Sequence, residues 1–319
     1  VIYITHKLQE LHSVADEVIV LRDGEFIGQK PMEQVDSKEL VHMMFGEVSL
    51  RHRPDDVIPG KDVIMSVRGL TQKKTFEDVS FDLYRGEVLG IAGMLGAGRT
   101  ELLRAIFGAD KFQSGTVEID GKKIKKFDPI HMVEAGLGLT PEERKTQGVI
   151  LIHSVRDNLN YASIRINTIG GIIEDKKKRE KNARKQVEDL QIRIPGLDAP
   201  CSTLSGGNQQ KVVVGNWLST NPKIMLYDEP SRGIDVNAKQ QIFEIMWSES
   251  KKGVSTIFVS TELEELLEVC NRILIMYHGR IIGEVDPDRC PVDELYACCM
   301  SGVIPPEIKF SKRGDETFE

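Results

Sequence analysis

The sequence predicts an α/β fold built on a largely parallel sheet and carrying a helical insertion. Three observations lead there. Apolar, strand-like runs alternate with helical stretches, the pattern of parallel strands joined by crossover helices. One such run, Glu87–Ala92, leads into a glycine-rich turn that opens a helix. Another, Lys223–Tyr227, runs into two adjacent carboxylates, Asp228 and Glu229.

Taken in order, the chain first shows a repeat. Val1–Gly28 aligns without a gap on Thr256–Gly283, with Leu8/Leu263, Glu10/Glu265, Leu11/Leu266, Val14/Val269, Gly24/Gly279 and Gly28/Gly283 identical. Each copy reads as strand, turn, helix, strand, glycine turn and strand. The second copy closes a domain. The first copy and the missing starting methionine make residues 1–45 read as the C-terminal remnant of a first domain, with a short helix over Met32–Met44. Residues 46–60 carry Gly46, Pro54 and Pro59 with little periodicity and read as a linker. A second domain is expected over 61–302. Its strands are predicted at Val63–Arg68, Val79–Leu83, Glu87–Ala92, Gly136–Leu139, Lys223–Tyr227 and Thr256–Val259. Helices are predicted at Thr100–Phe107 and Lys239–Lys251, a hairpin end at Ser114–Gly121 turning on Asp120-Gly121, and a mainly helical insertion over 149–218. The polar stretch 303–319 is expected to be a loose tail.

Composition narrows the function classes. The 319 residues are 40% hydrophobic and 29% charged, an ordinary globular balance. No apolar run approaches the roughly 18 residues a membrane helix needs, so a membrane role would come through a partner. The first residues do not read as a signal peptide. A net charge of −7 argues against a general nucleic-acid binder. The basic run Lys176–Arg179 lies in a polar helical stretch and reads as a solvated face. Five cysteines, an odd count without metal spacing, suggest reduced thiols in the cytosol. Cys298 and Cys299 read as small buried residues. His12, His42, His52, His131, His153 and His278 show no metal spacing and read as surface or loop residues.

Three segments carry chemistry. Gly93-Met94-Leu95-Gly96-Ala97-Gly98-Arg99-Thr100 follows a strand and opens a helix, the context of a phosphate-binding loop. Its glycines let backbone N–H groups converge, and the helix N-terminus adds positive potential. Thr100 supplies a hydroxyl for Mg²⁺. Arg99 stands where a lysine is expected; its planar fork keeps the charge but differs in reach. Asp228 would hold Mg²⁺ through water, and Glu229 would polarise an attacking water. Leu204-Ser205-Gly206-Gly207-Asn208-Gln209-Gln210-Lys211 places a good N-cap, Ser205, before a helix running to Trp217, with two glycines permitting close approach. Each segment alone admits a plain reading, as a glycine-rich turn, a strand end or a capped helix. Their order along one chain favours a nucleotide site.

At these residues the chain resembles the ABC ATPases. LSGGNQQK, MLGAGRT, Pro141–Lys145 and Asp228–Val236 are similar to the second cassette of the fused, two-cassette ATPases of monosaccharide importers of the ribose/xylose/galactose type. The resemblance implies an ABC cassette with a parallel-sheet core, an antiparallel β-subdomain and a helical insertion. It implies ATP and Mg²⁺ as ligands, and two cassettes head to tail with each ATP between the phosphate loop of one and the LSGG segment of the other. It also implies permease partners, a sugar-binding protein and a peripheral place on the cytoplasmic face of the membrane. Carried over by position, Gly93, Gly96, Ala97, Gly98, Arg99 and Thr100 would surround phosphate. Thr100 and Asp228 would hold Mg²⁺, and Glu229 would be the catalytic carboxylate. Glu142 stands where the family has glutamine beside the γ-phosphate, where an added carboxylate repels. Thr261 stands where the family has a switch histidine, by alignment with His6. No aromatic residue is placed for adenine stacking around Leu70–Lys74. Ser205, Gly206, Gly207 and the switch histidine His6 would serve a less altered site shared with the first cassette. Two readings stay open: an ATPase subunit energising monosaccharide uptake, or a degenerate regulatory cassette that closes over ATP and hydrolyses slowly or not at all. A soluble ABC protein of translation or DNA repair fits the acidic balance and the LSGGNQQK form less well.

Overall fold

The computed structural model describes residues 15–22, 25–32, 52–166, 168–169 and 173–310. The chain divides into two units, 1–51 and 52–319. In the first unit an antiparallel hairpin pairs β1 (Glu17–Arg22) with β2 (Glu25–Pro31). Val20 faces Gly28, and the register then slips so that Leu21 faces Phe26. The helix expected from Met32 to Met44 and the first strand and helix of the repeat lie outside the described residues, apart from Met32 itself.

The second unit opens with β3 (Val63–Gln72) and β4 (Phe76–Tyr84), followed by β5 (Val88–Ala92), which is buried throughout. Helix α1 (Arg99–Ile106) follows, then the hairpin of β6 (Ser114–Ile119) and β7 (Lys122–Lys123) turning on Asp120-Gly121 as expected. A short α2 (Pro129–Glu134), capped by Asp128, leads to β8 (Leu137–Thr140). Strands β4, β3, β6 and β7 form an antiparallel sheet in that order. Beyond the insertion come β11 (Ile224–Asp228), α6 (Val236–Lys251), β12 (Ser255–Val259), α7 (Leu263–Val269), β13 (Arg272–Tyr277), β14 (Arg280–Val285) and α8 (Val292–Ser301).

The main sheet has the order β14-β13-β5-β12-β11-β8. Only β14, at the edge, runs antiparallel. Alternation divides its side chains between two cores. Met225, Tyr227, Phe258, Ile273 and Ile275 pack with the helices on one face. Ile224, Leu226, Ile257, Val259, Leu274 and Met276 pack with α1 and the antiparallel sheet on the other. A strand covered on both faces must be apolar at every position, which is why these strands read as continuous hydrophobic runs. The hairpin β13-β14 also completes the repeat. Ile275 faces Gly283 before a slip that sets Met276 against Ile281, the same step as in the first unit at aligned positions.

The insertion is less purely helical than the sequence suggested. It holds α3 (Val155–Asn158), α4 (Lys176–Asp189) and α5 (Gly206–Leu218), but also a small ladder of β9 (Thr168–Ile169) and β10 (Ile173–Glu174). Lys176–Lys178 are exposed on α4, a solvated face as read. Asp175 caps this helix by accepting the Lys177 and Lys178 N–H groups at 3.1 Å, offsetting lysines placed unfavourably at a positive helix end.

Two boundaries shift. Residues 52–60, expected to be linker, belong to the second unit. Val57 is buried in its core, Asn271 Nδ2 donates to the Val57 carbonyl at 2.9 Å, and Gly60 N–H donates to Arg85 O at 2.7 Å. Residues 303–310, expected to be loose, are also held. Ile308 is buried, Asp286 N–H bonds its carbonyl at 3.0 Å, and Phe310 N–H bonds Glu284 O at 3.1 Å. Prolines and the lack of periodicity hid the apolar anchors Val57 and Ile308. Residues 46–51 and 311–319 lie outside the described residues.

The starts of β5 and β13 are tied by Arg272. Its guanidinium bonds both oxygens of buried Glu87 at 2.8 and 3.1 Å, Glu284 at 2.6 Å and the Asp82 carbonyl at 2.7 Å. Burial pushes the Glu87 carboxyl up even beside this cation. Arg272→Met leaves Glu87 buried without its cation. We expect a loss of about 3–5 kcal/mol of unfolding free energy, read as a lower urea midpoint at an unchanged m-value.

Candidate functional site

Four parallel strands, β5, β8, β11 and β12, point their C-terminal ends toward one edge of the main sheet. The loops that follow them carry the residues singled out from the sequence. Open α/β sheets bind ligands at that edge. Gly93–Gly98 follows β5, Glu142 follows β8, Asp228 ends β11 with Glu229 next, and Thr261 lies just past β12.

The glycine-rich turn is held by Ala97 N–H bonding Met94 O at 3.0 Å. Gly98 is the N-cap of α1 at φ 98° with no side-chain cap, so the first amides of the helix remain available to a ligand. A Cβ on Gly98 would stand 2.8 Å from the Thr75 carbonyl oxygen, and one on Gly93 would stand 2.6 Å from that of Met276. Gly96, at φ 81°, has open space around it. Ala97 is buried, while Leu95 is almost fully exposed.

Thr100 Oγ1 donates to Asp228 Oδ1 at 3.0 Å, joining the two residues expected to share a cation. Burial, with Glu142 and Glu229 nearby, pushes Asp228 up to about 7 against the opposing Thr100 bond. Burial likewise raises Glu229. Glu229 also has φ 48°, a left-handed conformation uncommon outside glycine and found at functional turns. Its backbone is anchored by Glu229 N–H bonding Val259 O at 3.0 Å.

Arg99 is not directed at open space before the turn. It is 6% exposed, its Nη1 donates to the Ser260 carbonyl at 2.6 Å, and its Nη2 lies 4.0 Å from Glu229 Oε1. Burial lowers its pKa, opposed first by Glu229. Thr261 Oγ1 donates to Glu229 Oε2 at 3.1 Å. Glu142 forms an ion pair with Arg232, which also lies 3.2 Å from Glu143. The repulsion expected from a carboxylate at Glu142 is therefore partly answered within the chain.

The Ser205 segment has other neighbours. Ser205 is the N-cap of α5 and accepts the Asn208 side-chain amide at 3.0 Å. A Cβ on Gly207 would meet that of Ala238 at 2.4 Å, so this glycine is required by the packing of α5 on α6. One on Gly206 would lie 3.3 Å from both Arg144 Nη2 and Gly233 O. These contacts are with 144 and 233–238, not with the turn at 93–98. His6 lies outside the described residues.

Sequence reasoning missed Arg232 and Ser260. Arg232 had a signal, a cation three residues after Glu229. Ser260 acts on Arg99 through its carbonyl, which no side-chain pattern reveals.

The sequence matches the ABC transporter family over residues 76–232, a span holding the turn, Glu142, the Ser205 segment and the carboxylates. It is 40% identical over 301 residues to the ribose import ATP-binding protein RbsA 1 of Streptomyces avermitilis, covering 94% of this chain and 57% of that one. Its fold is that of an ABC cassette. It is also 39% identical over 302 residues to the ribose import ATP-binding protein RbsA of Lacticaseibacillus paracasei, covering 95% of this chain and 60% of that one. It thus spans less than two thirds of the length of these relatives. The cassette fold matches the ADP conformation of MJ1267, an ATP-binding cassette of an ABC transporter, with TM-score 0.63, 23% identity, and coverage of 76% of this chain and 96% of that one. The dimeric, post-hydrolysis MJ0796 cassette bound to ADP and Pi matches with TM-score 0.61 and 20% identity, covering 70% and 98%.

The two glycines of the cassette turn separate strain from collision. Gly96→Ala is expected to cost about 1–2 kcal/mol, the price of a left-handed alanine in open space. Gly98→Ala adds a clash with the Thr75 carbonyl and is expected to cost clearly more. Urea unfolding of the two variants side by side checks the order.

Proposed function

We propose that the chain is part of the ATP-binding subunit of an ABC importer that couples ATP binding and hydrolysis to uptake of a monosaccharide. The observation that carries the reading is the meeting of the Gly93–Thr100 turn, the Thr100–Asp228 pair and Glu229 at one sheet edge. Kinship with ribose import ATP-binding proteins supports the transport role. The amides of the turn and of α1 receive the phosphates. Thr100 and Asp228 fit Mg²⁺: a buried carboxylate held up near 7 beside two more acids is a place where a divalent cation relieves charge. Bound there, Mg²⁺ would neutralise phosphate oxygens during transfer. Glu229 orients a water for in-line attack on the γ-phosphorus. The P–O bond to ADP breaks, and the proton lost by the water passes to the carboxylate or to phosphate oxygen.

On this reading the partners are a first cassette, two permease subunits and, through them, a sugar-binding protein. The subunit works at the cytoplasmic face of the membrane. No helix among the described residues is long and apolar enough to cross it, consistent with attachment through the permease.

A second reading has its own support. Arg99 is engaged with Ser260 and Glu229, Glu142 with Arg232, and Thr261 with Glu229. All three departures from the family pattern are thus tied up with protein partners. A cassette so arranged binds ATP and regulates, while a first cassette performs hydrolysis.

ATP turnover of the whole two-cassette protein separates the readings. If this site hydrolyses, Glu229→Gln lowers turnover about 10²-fold or more, the usual worth of a catalytic acid–base group. If it regulates, Glu229→Gln leaves turnover within about twofold, while replacing the equivalent first-cassette carboxylate abolishes it. The isolated 319-residue chain is expected to turn over ATP poorly, because each composite site needs a second cassette. A high rate independent of protein concentration would contradict the composite site.

A further inference from the structure

One buried carboxylate, used by neither reading above, joins two loops of the site. Glu265, on α7, is 2% exposed. Its Oε2 accepts the hydroxyl of Ser231 at 2.7 Å and that of Ser260 at 2.8 Å. Its Oε1 lies 2.7 Å from Lys239 Nζ on α6. Lys239 also reaches Glu262 at 2.6 Å. Ser231 and Ser260 are themselves buried, so both hydroxyls commit their hydrogens to the same oxygen. The ammonium and the two donors favour the charged carboxylate, while burial opposes them and pushes Glu265 up to about 7.

The clasp joins two functionally different stretches. Ser260 immediately precedes Thr261, whose hydroxyl holds Glu229, and the Ser260 carbonyl holds Arg99. Ser231 begins the turn that ends at Asp235, the cap of α6, which accepts Ala238 N–H at 2.9 Å. That turn and the start of α6 are the surface on which Gly206 and Gly207 pack. One end of the clasp therefore lies beside the nucleotide carboxylates, and the other supports the Ser205–Gly207 segment. In the sequence repeat, Glu10 stands as far beyond His6 as Glu265 stands beyond Thr261.

We propose that Glu265 is a positioning residue that makes the 260–261 loop and the 231–235 turn move as one body, carrying a change at the nucleotide site to the Ser205–Gly207 segment. The proposal deepens the nucleotide reading and rests on it for the perturbation, Mg-ATP. A packed two-loop element held by one shared acceptor is a physical connection whose loss can be measured.

Amide hydrogen exchange of the 319-residue chain, with and without Mg-ATP, tests it. In the unaltered chain, peptides covering 260–262, 231–235 and 205–208 are expected to gain protection together. Ser231→Ala removes one hydroxyl and leaves the Glu265–Lys239 pair in place, so the fold is retained. Its Mg-ATP affinity should stay within about twofold and the response at 260–262 should persist. The responses at 231–235 and 205–208 should fall by about fivefold or more, within the range of network substitutions. Glu265→Gln should act in the same direction. Equal responses in Ser231→Ala and the unaltered chain overturn the proposal, as does loss of all three responses with affinity intact. Binding of no Mg-ATP by the unaltered chain would instead sink the nucleotide reading. The clasp is then decided without ligand: Ser260→Ala should raise exchange at 231–235 about fivefold, and unchanged exchange there overturns it.

Discussion

Two carboxylates sit where a fully buried strand meets the edge of its sheet, and the guanidinium of Arg99 is buried beside them. Burial raises both Asp228 and Glu229, because the low-dielectric surroundings favour the neutral form. Arg99 opposes that effect on each, while burial lowers its own pKa. The turn at 93–98, the Thr261 loop and the Arg232 turn are all arranged around this charge problem. A polyanion with a divalent cation would alter each of these balances at once, which is the physical ground for the proposed nucleotide site.

The sheet is what brings the groups together. Parallel pairing of β8, β11, β12 and β5 forces their C-terminal ends to one edge, so loops far apart in sequence become neighbours. At the other end of β5, Arg272 and Glu87 fasten the strand starts with a buried, multiply bonded ion pair. Rigid strands fixed at one end present their loops precisely enough at the other for groups to meet at about 3 Å, as Thr100 and Asp228 do. Loops carry function well when a scaffold holds them.

The three departures from the family pattern are connected in space. Arg99 and Thr261 converge on Glu229 from different loops, and Glu142 meets Arg232, which follows Glu229 in the chain. Arginine suits this arrangement better than lysine would. Its fork reaches the Ser260 carbonyl while remaining near a carboxylate. Through Ser231 and Ser260, Glu265 extends the same set of contacts to the turn on which the Ser205–Gly207 segment packs.

The sequence by itself carried the resemblance to ABC cassettes, the parallel core and the choice of candidate site residues. Those rest on local rules: glycine where φ is positive, a capping serine before α5, unbroken apolar runs for strands covered on both faces. It also determined the repeat, whose two hairpins, β1-β2 and β13-β14, slip register at aligned positions. Only the tertiary structure decided what the charged groups touch. Arg99 reaches a backbone carbonyl, Glu142 finds Arg232, and Gly207 answers to Ala238. Residues 52–60 and 303–310, which show no strand or helix periodicity, were recruited by Val57 and Ile308. A long side chain can reach several partners from one backbone position. Which partner it takes depends on strands and loops brought near by pairing across long stretches of chain, 90 residues for Glu142–Arg232 and 161 for Arg99–Ser260, and no local pattern encodes that choice.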